Sequence, residues 1–233
     1  MKIALFSRLM DLVAPRTCLI CGQRLSITEE HICAVCCRHL PRTHFHLHPY
    51  ENRMAENFYY LVKKLGKVAA FYYYYPGAKS THLILEVKFH SHPEVGVYIG
   101  KLMAREMAPS GFFEDIDLLI PMPLTRKRQK RRGYNQCEQI AHGISLITHL
   151  PVDSQTIRRK HFTESQTHLS RWERRRNVDG VFDYAEERPL EGKHVLLLDD
   201  VCTTGSTLTS LAEAADKAGA QTISILSVGF TRR

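Results

Sequence analysis

Two adjacent carboxylates, Asp199 and Asp200, end the apolar run Val195 to Leu198 and precede Val-Cys-Thr-Thr-Gly-Ser-Thr. Such a run predicts a buried strand that delivers both carboxylates at its C-terminal end, where open α/β sheets collect ligands. The turn that follows opens a helix, whose free backbone N–H groups and dipole favour a phosphate. Gly205 permits close backbone approach, and the hydroxyls of Thr203, Thr204, Ser206 and Thr207 add donors. Carboxylates accept hydrogen bonds from vicinal hydroxyls, so a carboxylate pair above a phosphate cradle suits a ribose 5-phosphate. The segment lacks the Gly-Lys-Ser/Thr of a Walker loop and the G-x-G-x-x-G of a dinucleotide fingerprint. An ordinary capped helix would not call for two successive aspartates after four apolar residues.

A second constellation is Cys18-x2-Cys21-x11-Cys33-x2-Cys36. Two C-x-x-C knuckles can place four thiolates tetrahedrally around Zn²⁺, and four protein ligands leave no position for a reacting water, so the site reads as structural. Gly22 suits the tight knuckle turn. A redox pair would occur once, inside a βαβ unit. His31 and Cys37 are the alternative ligands at hand. The alternation His44, His46, His48 reads as an exposed edge or linker, with a second metal site as its alternative. Cys137 and Cys202 read as small buried residues.

The elements that must position these groups follow from periodicity. Strand-like runs cover 117–120 (stopped by Pro121), 194–198 and 222–228; helical patterns cover 80–89, 95–107, 134–150 and 206–218, the last closed by Gly219. The alternation after residue 116 favours a parallel sheet. The aromatic run Phe71 to Tyr75, with a turn at Pro76-Gly77, suggests that residues 50–115 add a strand pair and helices to that core. Leu5, Leu9, Leu12 and Val13 fall at helical spacing before Pro15, while Arg8 and Asp11 interrupt any signal-peptide run. Three zones result: a helix and metal module over 1–48, a linker or hood with accessory helices over 49–115, and the core over 116–233.

The chain has 233 residues, 44% hydrophobic and 24% charged, which excludes wholesale disorder. A formal charge of +8 points to an anionic ligand: nucleic acid, a phosphorylated metabolite or a membrane surface. No run approaches the roughly 18 apolar residues of a membrane span, and seven cysteines with four in paired spacing fit metal binding in a cytoplasmic protein. Six cations in the seven residues 126–132 form a basic loop, joined by Arg158-Arg-Lys160 and Arg174-Arg-Arg176. A solvated charge run, a nucleic-acid backbone contact and an anion lid all remain open for it.

The segment around Asp199 resembles the 5-phosphoribosyl 1-pyrophosphate (PRPP) signature of type I phosphoribosyltransferases. Ile120-Pro-Met-Pro-Leu124, Arg131-Arg-Gly-Tyr-Asn-Gln136, Gln166-Thr-His-Leu-Ser170 and the stretch from Arg174 to Phe182 follow in order. With the cysteine cluster, this set resembles the ComF/GntX family over roughly residues 10–230. The resemblance implies an α/β, type I phosphoribosyltransferase fold, a parallel sheet flanked by helices, with a small N-terminal four-cysteine zinc module. It implies a pentosyl transfer from PRPP with Mg²⁺ to an acceptor that the sequence does not name, in a pathway of competence, DNA uptake or use of DNA as a nutrient.

In that reading Asp199 and Asp200 hold ribose hydroxyls, and Thr203, Thr204, Gly205, Ser206 and Thr207 hold the 5-phosphate. Met122, Pro123 and Leu124 face the pyrophosphate, and Arg128, Arg131, Arg132, Gly133, Tyr134, Asn135 and Gln136 form a flexible basic loop. Zn²⁺ is structural and Mg²⁺ accompanies PRPP or a related ribose phosphate; single-stranded DNA or DNA-uptake proteins are candidate partners. Where the 6-oxopurine salvage branch carries an aspartate at the first loop position, this chain has Thr203, which argues against hypoxanthine or guanine salvage. No other side chain emerges as a general base. A non-catalytic PRPP-binding regulator and a DNA-binding accessory protein are the alternatives.

Overall fold

The computed structural model describes residues 15–89, 92–160 and 181–231. The expected helix over 1–13 and the segments 166–170 and 174–180 lie outside them. Four strands form one parallel sheet in the order β1-β6-β5-β2: β1 (Leu65–Tyr73), β6 (Thr222–Phe230), β5 (His194–Cys202) and β2 (Leu118–Pro121). Almost every residue of β1 and β6 is buried, as a sheet covered on both faces requires. Both edges are covered by irregular chain. Val68 and Tyr73 donate to the Pro49 and Pro41 carbonyls, while Leu119 on β2 donates to Pro151.

Several elements differ from the sequence expectation. The region before residue 115 contributes one strand to the sheet, not a strand pair. Its partner is β6, far along the chain and parallel, so no hairpin signal marks it. Strand β5 runs on through Asp199 and Asp200 to Cys202, because Asp199 and Val201 stay in register with Ser227 and Gly229 of β6. A short antiparallel pair, β3 (Ile157–Arg159) with β4 (Phe182–Tyr184), has no counterpart in the sequence expectation. The basic run is a helix, α4 (Arg126–Arg132), not a loop. Thr125 Oγ1 caps its start by accepting from Arg128 N, and Gly133 at φ 81° closes it. His46, expected at an exposed edge, is buried in a single 3₁₀ turn.

The other helices are α1 (Ala34–Arg38), α2 (His82–Phe89), α3 (Pro93–Met107), α5 (Gln136–Thr148) and α6 (Ser206–Lys217). Along α3, Val95, Ile99, Met103 and Met107 recur at helical spacing and are buried. Helices α3 and α5 touch backbone to backbone at Gly100 and Gly143. A Cβ on Gly143 would lie 2.1 Å from Val97 O, and one on Gly100 2.1 Å from Ile140 O. This contact draws α5 tight against the layer beneath it and so fixes the N-terminus of α5, where the functional site begins.

The cysteine module docks on α3 and β1. His31 packs edge-on against Tyr98 at 5.1 Å, and Arg42 pairs with Glu106 at 2.8 Å while stacking 4.1 Å from the Phe71 ring centroid. Replacing Gly143 with Ala should separate α3 from α5 and cost on the order of 3 kcal/mol. Chemical denaturation, read as a lowered midpoint at unchanged slope, checks this.

Candidate functional site

At the C-terminal end of β5 the two aspartates have different partners. Asp200 is buried, and both its oxygens are taken: Oδ1 by Lys88 Nζ of α2 at 2.8 Å, Oδ2 by Gln136 Nε2 of α5 at 2.7 Å. Gln136 Oε1 in turn accepts from Arg132 Nη1 at 2.5 Å. Asp199 Oδ1 accepts from the Asp200 N–H at 2.8 Å and lies 3.8 Å from the Cys137 thiol. Burial, with the neighbouring Asp200 charge, pushes Asp199 up to about 7, against the pull of Lys88. Burial and the two carboxylates push the Cys137 thiol well up, so it stays protonated and serves Asp199 as a donor.

The loop after β5 turns at Gly205, whose φ of 82° favours glycine. A Cβ there would also lie 2.8 Å from the ring of Phe58, which is fully buried and braces the turn. Thr204 Oγ1 sits 3.1 Å from Ser206 Oγ and accepts from Ser206 N at 3.4 Å. Thr203, Thr204, Ser206 and Thr207 are exposed around a cavity of about 30 Å³ that Asp199 also lines. Asp199 and the loop residues 203–207 therefore line one depression, whereas Asp200 does not reach it. The start of α6 supplies N–H groups there, and its dipole favours an anion.

After β2, Met122 turns inward: it is buried, its N–H donates to Leu198 O, and its carbonyl accepts from Asn135 Nδ2. Pro123 and Leu124 instead line a cavity of about 200 Å³ with Arg126, Arg158 and Arg159. Asn135 caps α5 through Cys137 N, so it and Gln136 are buried structural members, while Arg128 lies exposed on α4. Tyr134 OH donates to Val87 O at 2.5 Å. Lys88, Phe58 and Cys137 have no role in the sequence expectation of the site, whereas Arg159 belongs to the basic run 158–160 named there. Lys88 and Phe58 carry no local signal, since each meets the site through a contact more than a hundred residues away.

The four cysteine sulfurs lie within 4.8 Å of one another. Zn–S bonds of about 2.3 Å imply tetrahedral S···S edges of about 3.8 Å, and Cys21 Sγ to Cys33 Sγ is 3.8 Å. Cys18 Sγ accepts from Cys33 N at 3.3 Å and Cys33 Sγ from Cys36 N at 3.4 Å, as knuckle thiolates do. Burial raises the Cys18 thiol, but backbone donors at Cys33, Cys21 and Ile20 outweigh it and bring it down to about 7. Burial and the neighbouring thiols push Cys36 up, a crowding that a dication relieves. The donor set fits Zn²⁺. At Asp199 and Asp200 the carboxylates fit a hard cation that arrives with phosphate oxygens, whereas the Cys137 thiol is a poor ligand for one.

Residues 95–230 match the family described as Phosphoribosyl transferase domain. The DNA utilization protein YhgH of Escherichia coli O157:H7 is 30% identical over 229 residues, covering 92% of this chain and 96% of that one. Competence protein F of Haemophilus influenzae is 34% identical over 47% of this chain and 48% of its own length. Competence protein ComFC of Bacillus subtilis is 33% identical over 39% and 35% respectively.

The raised Asp199 carries a stability consequence. Its unfolded value is the ordinary one, about 3.9, so between about 4 and about 7 the folded chain binds more protons than the unfolded chain. Stability therefore falls as pH rises through that window. Thermal unfolding of ligand-free Asp199→Asn should show a protein more stable than wild type at pH 8, with the difference shrinking toward pH 4.

Proposed function

We propose, from the premise that this chain belongs to the ComF branch of the phosphoribosyl transferase domain family, that its strand-end aspartates and Thr-Gly-Ser loop bind PRPP. The observation that carries the reading is the shared depression of Asp199 and residues 203–207. The N–H groups and hydroxyls of Thr203, Thr204, Gly205, Ser206 and Thr207 take the 5-phosphate. Asp199 and Asp200 accept from the ribose hydroxyls. The same carboxylates would hold Mg²⁺, which would supply positive charge against the pyrophosphate. Pro123 and Leu124 shape the pyrophosphate cavity, with Met122 supplying backbone, and Arg126, Arg158 and Arg159 counter its charge.

The phosphoribosyl group then passes to an acceptor as the C1–O bond to pyrophosphate breaks. Positioning and fixed charge supply the catalysis, since the ring grows cationic while the leaving oxygens grow anionic. The names of the relatives support a role for it in DNA use or competence, and the cysteine module is the site that would hold one structural Zn²⁺. A DNA-binding accessory role is the second reading, favoured by the exposed cations of α4; a non-catalytic PRPP-binding regulator is favoured by Thr203.

Calorimetry with PRPP and Mg²⁺ on the zinc-loaded chain tests the proposal. Wild type should bind, and the double variant Asp199→Asn, Asp200→Asn should bind about 100-fold more weakly or not at all, given the strength of hydrogen bonds to charged groups. A folded wild type that does not bind PRPP contradicts it.

A further inference from the structure

Lys88, the partner of Asp200, also lines another cavity, of about 170 Å³, together with Phe89, Arg131, Arg132 and Tyr134. Among the described residues its lining is one-sided in chemistry: three cations, two aromatic rings and no carboxylate. Lys88 is paired with Asp200, but Arg131 and Arg132 make no ion pair among the described residues. Arg132 Nε is buried without a hydrogen-bond partner. Phe89 stands 60% exposed, with the Arg132 guanidinium carbon 5.5 Å from its ring centroid. The Tyr134 hydroxyl is spent on Val87 O, which leaves its ring as the surface offered to a ligand. Arginine forks recognise carboxylates in two-pronged fashion, and aromatic faces take flat rings.

Size and position narrow the ligand further. The volume is well below the roughly 300 Å³ at which drug-sized pockets begin, so it suits a single ring. Arg126 at the start of α4 lines the pyrophosphate cavity, while Arg131 and Arg132 at its end line this one. At about 1.5 Å per residue α4 is about 10 Å long, so one cavity lies at each end of it, the first lined by Arg159 and the second by Lys88, the partner of Asp200. A displacement at C1 needs leaving group and acceptor on opposite sides. We propose that this cavity receives the acceptor, and that the acceptor is a small planar acid with an unprotonated ring nitrogen; this rests on the phosphoribosyl-transfer reading. The nitrogen lone pair forms the bond to C1 while the C1–O electron pair leaves with pyrophosphate. No proton has to be removed, which accords with a lining that, among the described residues, holds no carboxylate or histidine.

Nicotinate and nicotinamide, alike in shape and ring nitrogen but not in charge, are the probes. Each is titrated calorimetrically into the zinc-loaded full chain, alongside Arg131→Gln and Phe89→Ala, with PRPP–Mg²⁺ affinity measured on all three proteins. Nicotinate should bind at least about tenfold tighter than nicotinamide. Arg131→Gln should remove that preference and spare nicotinamide, while Phe89→Ala should weaken both. Equal binding of the two, binding of neither, or an Arg131→Gln protein that keeps the preference overturns the inference. Should any of these occur while PRPP still binds, the cavity assignment alone falls. A preference for nicotinate in a protein that does not bind PRPP would leave an acid site and remove the transfer reading.

Discussion

Asp200 is a carboxylate buried at the end of a parallel strand, and the structure around it is arranged to make that burial tolerable. An isolated charge in such a place costs several kcal/mol or more. Lys88 and Gln136 arrive from two different helices to take one oxygen each. The ends of α2 and α5 are thereby tied to the same point on β5. The Gly100–Gly143 contact lets α5 sit close enough to deliver Gln136, and Asn135 caps that helix while holding the Met122 carbonyl. The strand-end aspartates, the loop after β2 and the cavity lined by Lys88 are thus joined through one ion pair.

Much of this frame precedes the matched domain. Strand β1, the Phe58 brace at Gly205 and Lys88 all lie before residue 95, where the family match begins. The four-cysteine module continues into the segment that covers the β1 edge, and Arg42 binds it to α3 through Glu106. The N-terminal third is structurally part of the site's foundation. Loss of order there would reach the 203–207 loop through Phe58.

What the sequence makes legible is local. Asp199, Asp200 and the loop through Thr207 announce themselves because strand, turn and helix start are contiguous. The cysteine knuckles do so by spacing, and the helices by their 3.6-residue period. Strand β1 was half-seen: its composition marks a strand, but its parallel partner is over 150 residues away. The charge run 126–132 reads as a solvated loop until Thr125 and Gly133 are recognised as its caps. Lys88 looks like one more cation on an amphipathic helix, and only the folded chain sets it on Asp200. The His44, His46, His48 alternation suggests an exposed edge or linker, but the turn at 45–47 buries His46.

The most direct test is a crystal structure of the zinc-loaded chain with PRPP and Mg²⁺. The account predicts the 5-phosphate on the backbone N–H groups of residues 203–207, ribose hydroxyls on Asp199 and Asp200, and pyrophosphate beside Pro123 and Leu124. PRPP bound elsewhere, with the 203–207 loop making no phosphate contact, would contradict it.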